Sequence, residues 1–112
     1  MAFQRGDVWL VNYPFSDLLS TKVRPAVICS TDDYHAKQPD LMLVPLTSKI
    51  AAATGEFDYV LKDWNAAGLK KESALKPVVA TLDPTLAVHR IGTVSEADIG
   101  EIEARLRLAL GL

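Results

Sequence analysis

What this sequence has least of is sulfur. Cys29 is the only cysteine in 112 residues, which excludes a disulfide framework and a multi-cysteine metal site. A reduced, cytosolic setting fits best. Long apolar runs are also missing. The longest, Leu41 to Leu46, contains Pro45, whereas a membrane span needs ~18 or more apolar residues. The opening MAFQRGDVW has no apolar segment of the signal-peptide kind. Positive charge is not in excess either: 12 Lys and Arg stand against 14 Asp and Glu, a net charge of −2. The surplus acid is local, because Glu96, Asp98, Glu101 and Glu103 face only Arg105 and Arg107 after Ser95. Any nucleic-acid site must therefore be a local patch rather than a basic surface. HxxxH, HExxH and CxxC spacings are absent, so no metal is expected. A Walker loop, GxGxxG and GxSxG are absent as well, and no cofactor is expected.

What is present is ordinary globular composition, 49% hydrophobic and 23% charged, of a length that makes one domain over residues 1–112. Asp7 to Tyr13 is β-branched, aromatic and apolar and reads as a strand. Pro14 to Val23 carries turn-forming residues and reads as a loop. Arg24 to Ser30, RPAVICS, is a nearly continuous apolar run, expected to be a strand buried on both faces. Thr31 to Pro39 reads as a polar connection. Leu41 to Thr47 reads as a third strand, whose Pro45 predicts an edge or a bulge. Alternation sets Met42, Val44 and Leu46 on one face and Leu43, Pro45 and Thr47 on the other. Phe57 to Leu61, Ser73 to Leu82 and His89 to Val94 read as further strands, with a turn over Asp63 to Gly68.

Ser95 opens the one clear helix. Ser95 and Asp98 have capping-box spacing, acids lie at the start and arginines at the end, and Gly111 closes it. Ile99, Ile102, Leu106 and Leu110 form an apolar stripe at helical spacing. Many short strands followed by one helix make a mainly β (α+β) domain, a small barrel or curled sheet with a C-terminal helix.

The chemistry-bearing candidates are few. His35 and His89 have no spacing relation and read as non-catalytic, since an acid–base pair would need both at one phosphate. Arg24 and Thr47 each lie at a strand end beside a loop, where barrels commonly carry function. Arg24 precedes a proline, which biases its backbone to extended geometry. Lys22, Lys49 and Lys76 are expected to join Arg24 around one groove.

The segments GDVWLVNYPF (Gly6 to Phe15), RPAVICS and LVPLTS (Leu43 to Ser48), in this order, resemble the MazF/PemK family of bacterial toxin–antitoxin toxins. Gly68-Leu69, Thr81-Leu82-Asp83, Ile91-Gly92 and the terminal LGL resemble it too. The resemblance implies an SH3-like barrel, a homodimer and an antitoxin partner, and the short apolar runs already argue against a membrane partner. It also implies a metal-independent endoribonuclease acting on single-stranded RNA, in which the ribose 2′-hydroxyl attacks the adjacent phosphate. The products are a 2′,3′-cyclic phosphate and a 5′-hydroxyl. The family arginine falls on Arg24 and the family threonine on Thr47, which are the implied catalytic pair. Ser48 is an implied neighbour, and Lys22, Lys49, Lys76 and Asp17 are implied RNA-binding residues. Asp17 stands in a loop where some members carry Glu, at a different offset. Lys76 stands where some carry Arg, without the acid that accompanies it, so the general base is unassigned. A non-catalytic protein-binding toxin and an inactive antitoxin-binding member are the competing readings.

Overall fold

The structure is a computed structural model that describes residues 3–13 and 22–112. Its strands are β1 (Asp7–Tyr13), β2 (Lys22–Ile28), β3 (Leu41–Thr47), β4 (Tyr59–Val60), β5 (Ala74–Leu75), β6 (Ala80–Leu82) and β7 (Ala87–Thr93). Its helices are α1 (Asp32–Lys37) and α2 (Glu96–Leu110). The strands form one antiparallel sheet in the order β4-β5-β3-β2-β1-β7, with β6 also paired to β3.

The sheet has to curl. Ala80 to Leu82 and Ala87 lie on strands at opposite sides of the row β6-β3-β2-β1-β7. At ~4.8 Å per strand, a flat sheet would hold β6 and β7 about 19 Å apart. The link between Leu82 and Ala87 includes the 3₁₀ turn Pro84–Leu86, which shortens a chain that would reach about 17 Å even if fully extended. The ends therefore approach each other, and Ala80, Leu82 and Ala87 share one core with Trp9, Val11, Ala26, Ile28, Leu41 and Leu43. This is the barrel-like architecture with a C-terminal helix that the sequence predicts. The opposite face carries a second core of Val8, Val27, Val44, Leu46, Leu61 and Leu75, closed by Ile102 of α2. Ala26, Val27 and Ile28 are all fully buried, so β2 is covered on both faces as its apolar run predicts. Burial of the Val27 and Ile28 side chains is worth about 1.5–3 kcal/mol each.

Several expectations need correction. The Thr31 to Pro39 segment contains α1, whose first turn is capped by the Thr31 hydroxyl accepting from the Tyr34 N–H. Six residues are too few to show a helical period. His35 of α1 is pinned between Ser30 and the Phe3 carbonyl. The Ser73 to Leu82 strand is two strands, because Pro77 cannot donate to a ladder. Val78 N–H instead turns back to the Lys76 carbonyl at 2.7 Å. Pro45 lies inside the sheet, on a strand flanked by β2 and by β5 and β6. No bulge marks Pro45 in its ladder with β2, and its carbonyl accepts from the Lys76 N–H at 3.4 Å.

Candidate nucleic-acid groove

Arg24 and Thr47 come together through sheet register. Ala26 pairs with Pro45. That pair is the last of the ladder at this end, and Arg24 and Thr47 lie two residues beyond it on their two strands, where equal steps keep both on one face. That face is the one from which Ala26 and Leu43 enter the first core. Arg24 is exposed and Thr47 half-buried. Burial, with a smaller push from Cys29, holds the Tyr13 phenol well above its usual range, and the positive charge of Arg24 acts in the opposite direction. The Thr47 hydroxyl accepts from the Lys49 N–H at 3.1 Å, which folds the loop after β3 back onto the strand end.

Arg24, Thr47, Ser48 and Lys49 line one groove of ≈ 320 Å³. Its far wall holds Leu69, Lys70, Lys71 and Ser73. The groove thus gathers four cations and the hydroxyls of Thr47 and Ser48, with no carboxylate in its described lining, in a chain of net charge −2. Such a concentration raises the local density of anions. Arg24 offers a planar fork suited to a phosphate and the lysines offer point charges.

The predicted residues divide clearly. Arg24, Thr47, Ser48 and Lys49 are brought together. Lys76 is not: its ammonium is held by the Ala52 carbonyl at 3.1 Å and the Asp58 carboxylate at 3.4 Å. Lys22 contributes its backbone to β2, and Asp17 lies outside the described residues. Lys70 and Lys71 are additions. The only sign of them in the sequence is two adjacent lysines after the glycine of a turn, and nothing in the spacing connects that turn to Arg24.

Two devices fix the Lys70–Lys71 wall. The first is Asp98, fully buried at the start of α2. Its Oδ1 accepts from the Tyr59 hydroxyl at 2.6 Å and the Lys62 N–H at 2.9 Å. Its Oδ2 accepts from the Asp63 N–H at 2.8 Å. Burial raises the Asp98 pKa, but these bonds and the Ser95 contact outweigh it and hold the carboxyl below its usual range. The Tyr59 phenol is raised well above its usual range, first by burial and then by Asp98. The second device is a close approach between the 63–70 loop and β7. Gly68 has φ +91°, and a Cβ there would lie 2.7 Å from the Ile91 carbonyl oxygen. A Cβ on Gly92 would lie 2.4 Å from the Ala67 carbonyl oxygen. Only glycine permits both the conformation and the contact.

Among the described residues, no cluster of three His, Cys, Asp or Glu could hold a metal ion, and no helix is long and apolar enough to cross a membrane.

A curled antiparallel sheet with a terminal helix and a cationic groove at its strand ends defines a small barrel-type domain with a candidate anion-binding groove. The chain belongs to the PemK-like, MazF-like toxins of type II toxin–antitoxin systems, whose family model matches residues 4–110. No curated protein matches the sequence. Among solved structures, it is similar to an endoribonuclease from mycobacterial species, with a TM-score of 0.77 and 23% identity over 100% of this chain and 94% of the other. It is likewise similar to MazF from Deinococcus radiodurans, with a TM-score of 0.77 and 21% identity over 100% and 99% of the two chains. A mycobacterial endoribonuclease in complex with its cognate antitoxin aligns with a TM-score of 0.77 and 20% identity over 99% and 95%. At these identities the likeness establishes the fold.

Proposed function

We propose that this toxin is an endoribonuclease that cuts single-stranded RNA without a metal ion. The observation that carries the reading is that Arg24 and Thr47 line one groove together with three lysines, with no carboxylate among its described lining residues. In this reading the 2′-hydroxyl attacks its own 3′-phosphate, the bond to the 5′-oxygen breaks, and a 2′,3′-cyclic phosphate and a 5′-hydroxyl result. The protein supplies alignment and charge. Arg24 grips the phosphate and stabilises the charge that develops on it. The Thr47 and Ser48 hydroxyls bond its oxygens, and Lys49 holds a neighbouring phosphate. The reading places the protein in the cytosol with its RNA.

Two partners belong to the proposal. One is a second copy of the chain, for which a hollow beside α2 offers Cys29, Met42, Val79, Leu106, Leu110 and Leu112 together with the charged Arg5, Glu103 and Arg107. The other is an antitoxin, as in the mycobacterial complex, whose segment would order over the groove on binding.

The test is incubation of a long RNA with the purified protein in EDTA, with mapping of new 5′ ends for a free hydroxyl. Cleavage is expected, together with its loss when the 2′-hydroxyl at the cut is removed. Arg24→Ala should lower the rate by about 100-fold or more. An Arg24→Ala protein that cuts as fast as wild type refutes the assignment. A wild-type chain inert on every RNA refutes the enzyme and leaves the groove as an antitoxin-binding surface.

A further inference from the structure

A larger hollow, of ≈ 890 Å³, lies apart from the groove and shares no lining residue with it. Its floor is apolar. Leu41, which opens β3, and Ala87, which opens β7, are buried there, with Phe3, Pro39 and Pro84 around them. Phe3 packs against Trp9, ring centroids 4.6 Å apart. The helix α1 lends one face, since Asp32, His35 and Ala36 stand at i, i+3 and i+4. The His35 ring bonds the Ser30 hydroxyl at 2.5 Å and the Phe3 carbonyl at 3.0 Å. The α1 wall and the Phe3 wall are thus tied to each other.

The rim is anionic. Asp32 and Asp40 line the hollow with no lysine or arginine in the lining. Among the described residues neither carboxylate has an ion-pair partner, whereas Asp33 of the same helix is paired with Lys37. These features select the occupant. Two unpaired carboxylates repel an RNA strand or an anionic lipid surface. A neutral apolar segment would leave them without counter-charge. A segment with an aliphatic residue beside arginine or lysine meets both needs, because the anchor covers the floor and the cations reach the rim on long apolar stems. The volume lies in the range that encloses a drug-sized ligand, so it admits a short peptide segment rather than one side chain.

We propose that the hollow between α1, Phe3 and Pro84 is a docking site for a basic peptide segment of a partner protein, with an aliphatic residue seated on Leu41 and Ala87 and arginine or lysine on Asp32 and Asp40. This site stands independently of the ribonuclease reading: the groove draws anions and the hollow draws cations, with no residue in common.

The test is fluorescence anisotropy with three labelled peptides. Arg-Arg-Leu-Val-Leu-Arg-Arg carries anchor and charge, Arg-Arg-Ser-Ser-Ser-Arg-Arg the charge alone, and Glu-Glu-Leu-Val-Leu-Glu-Glu the anchor with opposite charge. The wild type should bind the first at least about tenfold more tightly than either of the others. Asp32→Lys and Asp40→Lys should each weaken that binding about tenfold. Ala36→Trp, which fills the hollow from an exposed helix position, should weaken it as much. Glu56→Lys makes the same change in net charge outside the hollow and should alter binding by less than about twofold. Thermal unfolding of each variant is measured alongside, and the wild-type peptide series needs no variant at all. A serine or glutamate peptide that binds the wild type as tightly as the first overturns the site, as does a wild type that does not bind the first peptide. A loss with Glu56→Lys equal to that with Asp40→Lys overturns it too. Self-association of the wild type in sedimentation that Ala36→Trp abolishes gives the hollow to a second copy of the chain and overturns the peptide.

Discussion

Replacing Asp98 tests whether one buried carboxylate holds the loop that leads to the groove. Its two oxygens accept three bonds, two at Oδ1 and one at Oδ2. Bonds to a charged acceptor contribute about 1.5–3 kcal/mol each, and a buried donor left unpaired adds a desolvation cost. Asp98→Asn keeps an oxygen for Tyr59 and Lys62 if the amide is so oriented, but sets an NH₂ group against the Asp63 N–H. A loss of about 2–3 kcal/mol is expected, or a fall in Tm of roughly 10 °C. Asp98→Ala abandons all three donors and should cost about 4 kcal/mol, a large share of the ~5–15 kcal/mol that holds a domain together. The assay is urea or thermal unfolding of the wild type, Asp98→Asn, Asp98→Ala and Tyr59→Phe. The wild-type contribution has a definite pH sign. The folded carboxyl titrates below its usual range. Its stabilisation is therefore present above the ordinary carboxylate pKa and fades as pH falls through the folded value. The gap between wild type and Asp98→Asn should narrow from pH 7 towards pH 3. Tyr59, raised by burial and by Asp98, acts in the opposite sense. Its stabilisation is present below a tyrosine's ordinary pKa and is lost as pH rises beyond it. An Asp98→Asn protein within 1 kcal/mol of wild type at pH 7, or a gap that widens in acid, refutes the reasoning.

Other substitutions separate the parts of the groove. Lys70→Ala with Lys71→Ala should reduce the slope of log affinity against log salt for single-stranded RNA by roughly 1.4, about 0.7 for each phosphate no longer neutralised. An unchanged slope places these lysines off the RNA. Lys76→Ala should leave cleavage within about twofold of wild type, since its ammonium is taken by Ala52 and Asp58, and should cost at most about 1 kcal/mol in unfolding. Gly68→Ala should destabilise by about 2 kcal/mol or more from its left-handed backbone and its clash with Ile91, and weaken RNA binding by moving Lys70. Gly100→Ala is the contrast: inside α2 with no atom near a new Cβ, it should stabilise by about 0.5–1 kcal/mol in the same melt.

The elements that could be read from sequence are those whose pattern is local and long. β1, β2 and β3 each run seven residues with strong β-propensity, and α2 shows its cap, its charge polarity and its stripe. α1 is too short for a period, and the break at Pro77 depends on how two strands share β3. The site divides in the same way. Arg24 and Thr47 stand at ends of readable strands, so their meeting follows once β2 and β3 pair. Lys76 looked equivalent to the other cations because its carboxylate partner, Asp58, is 18 positions away with no motif linking them. Lys70 and Lys71 reach the groove through a glycine contact between the 63–70 loop and β7, a tertiary event that leaves no periodicity in the chain.

The short link from Leu82 to Ala87 has one more consequence. Among the described residues no backbone ladder joins β6 to β7, so that seam is held by side chains and by the tether alone. It is the natural place for the sheet to breathe. Amides along the outer edge of β7 should trade their protons for deuterium through local opening, well before those of β2, which exchange only when the whole domain comes apart.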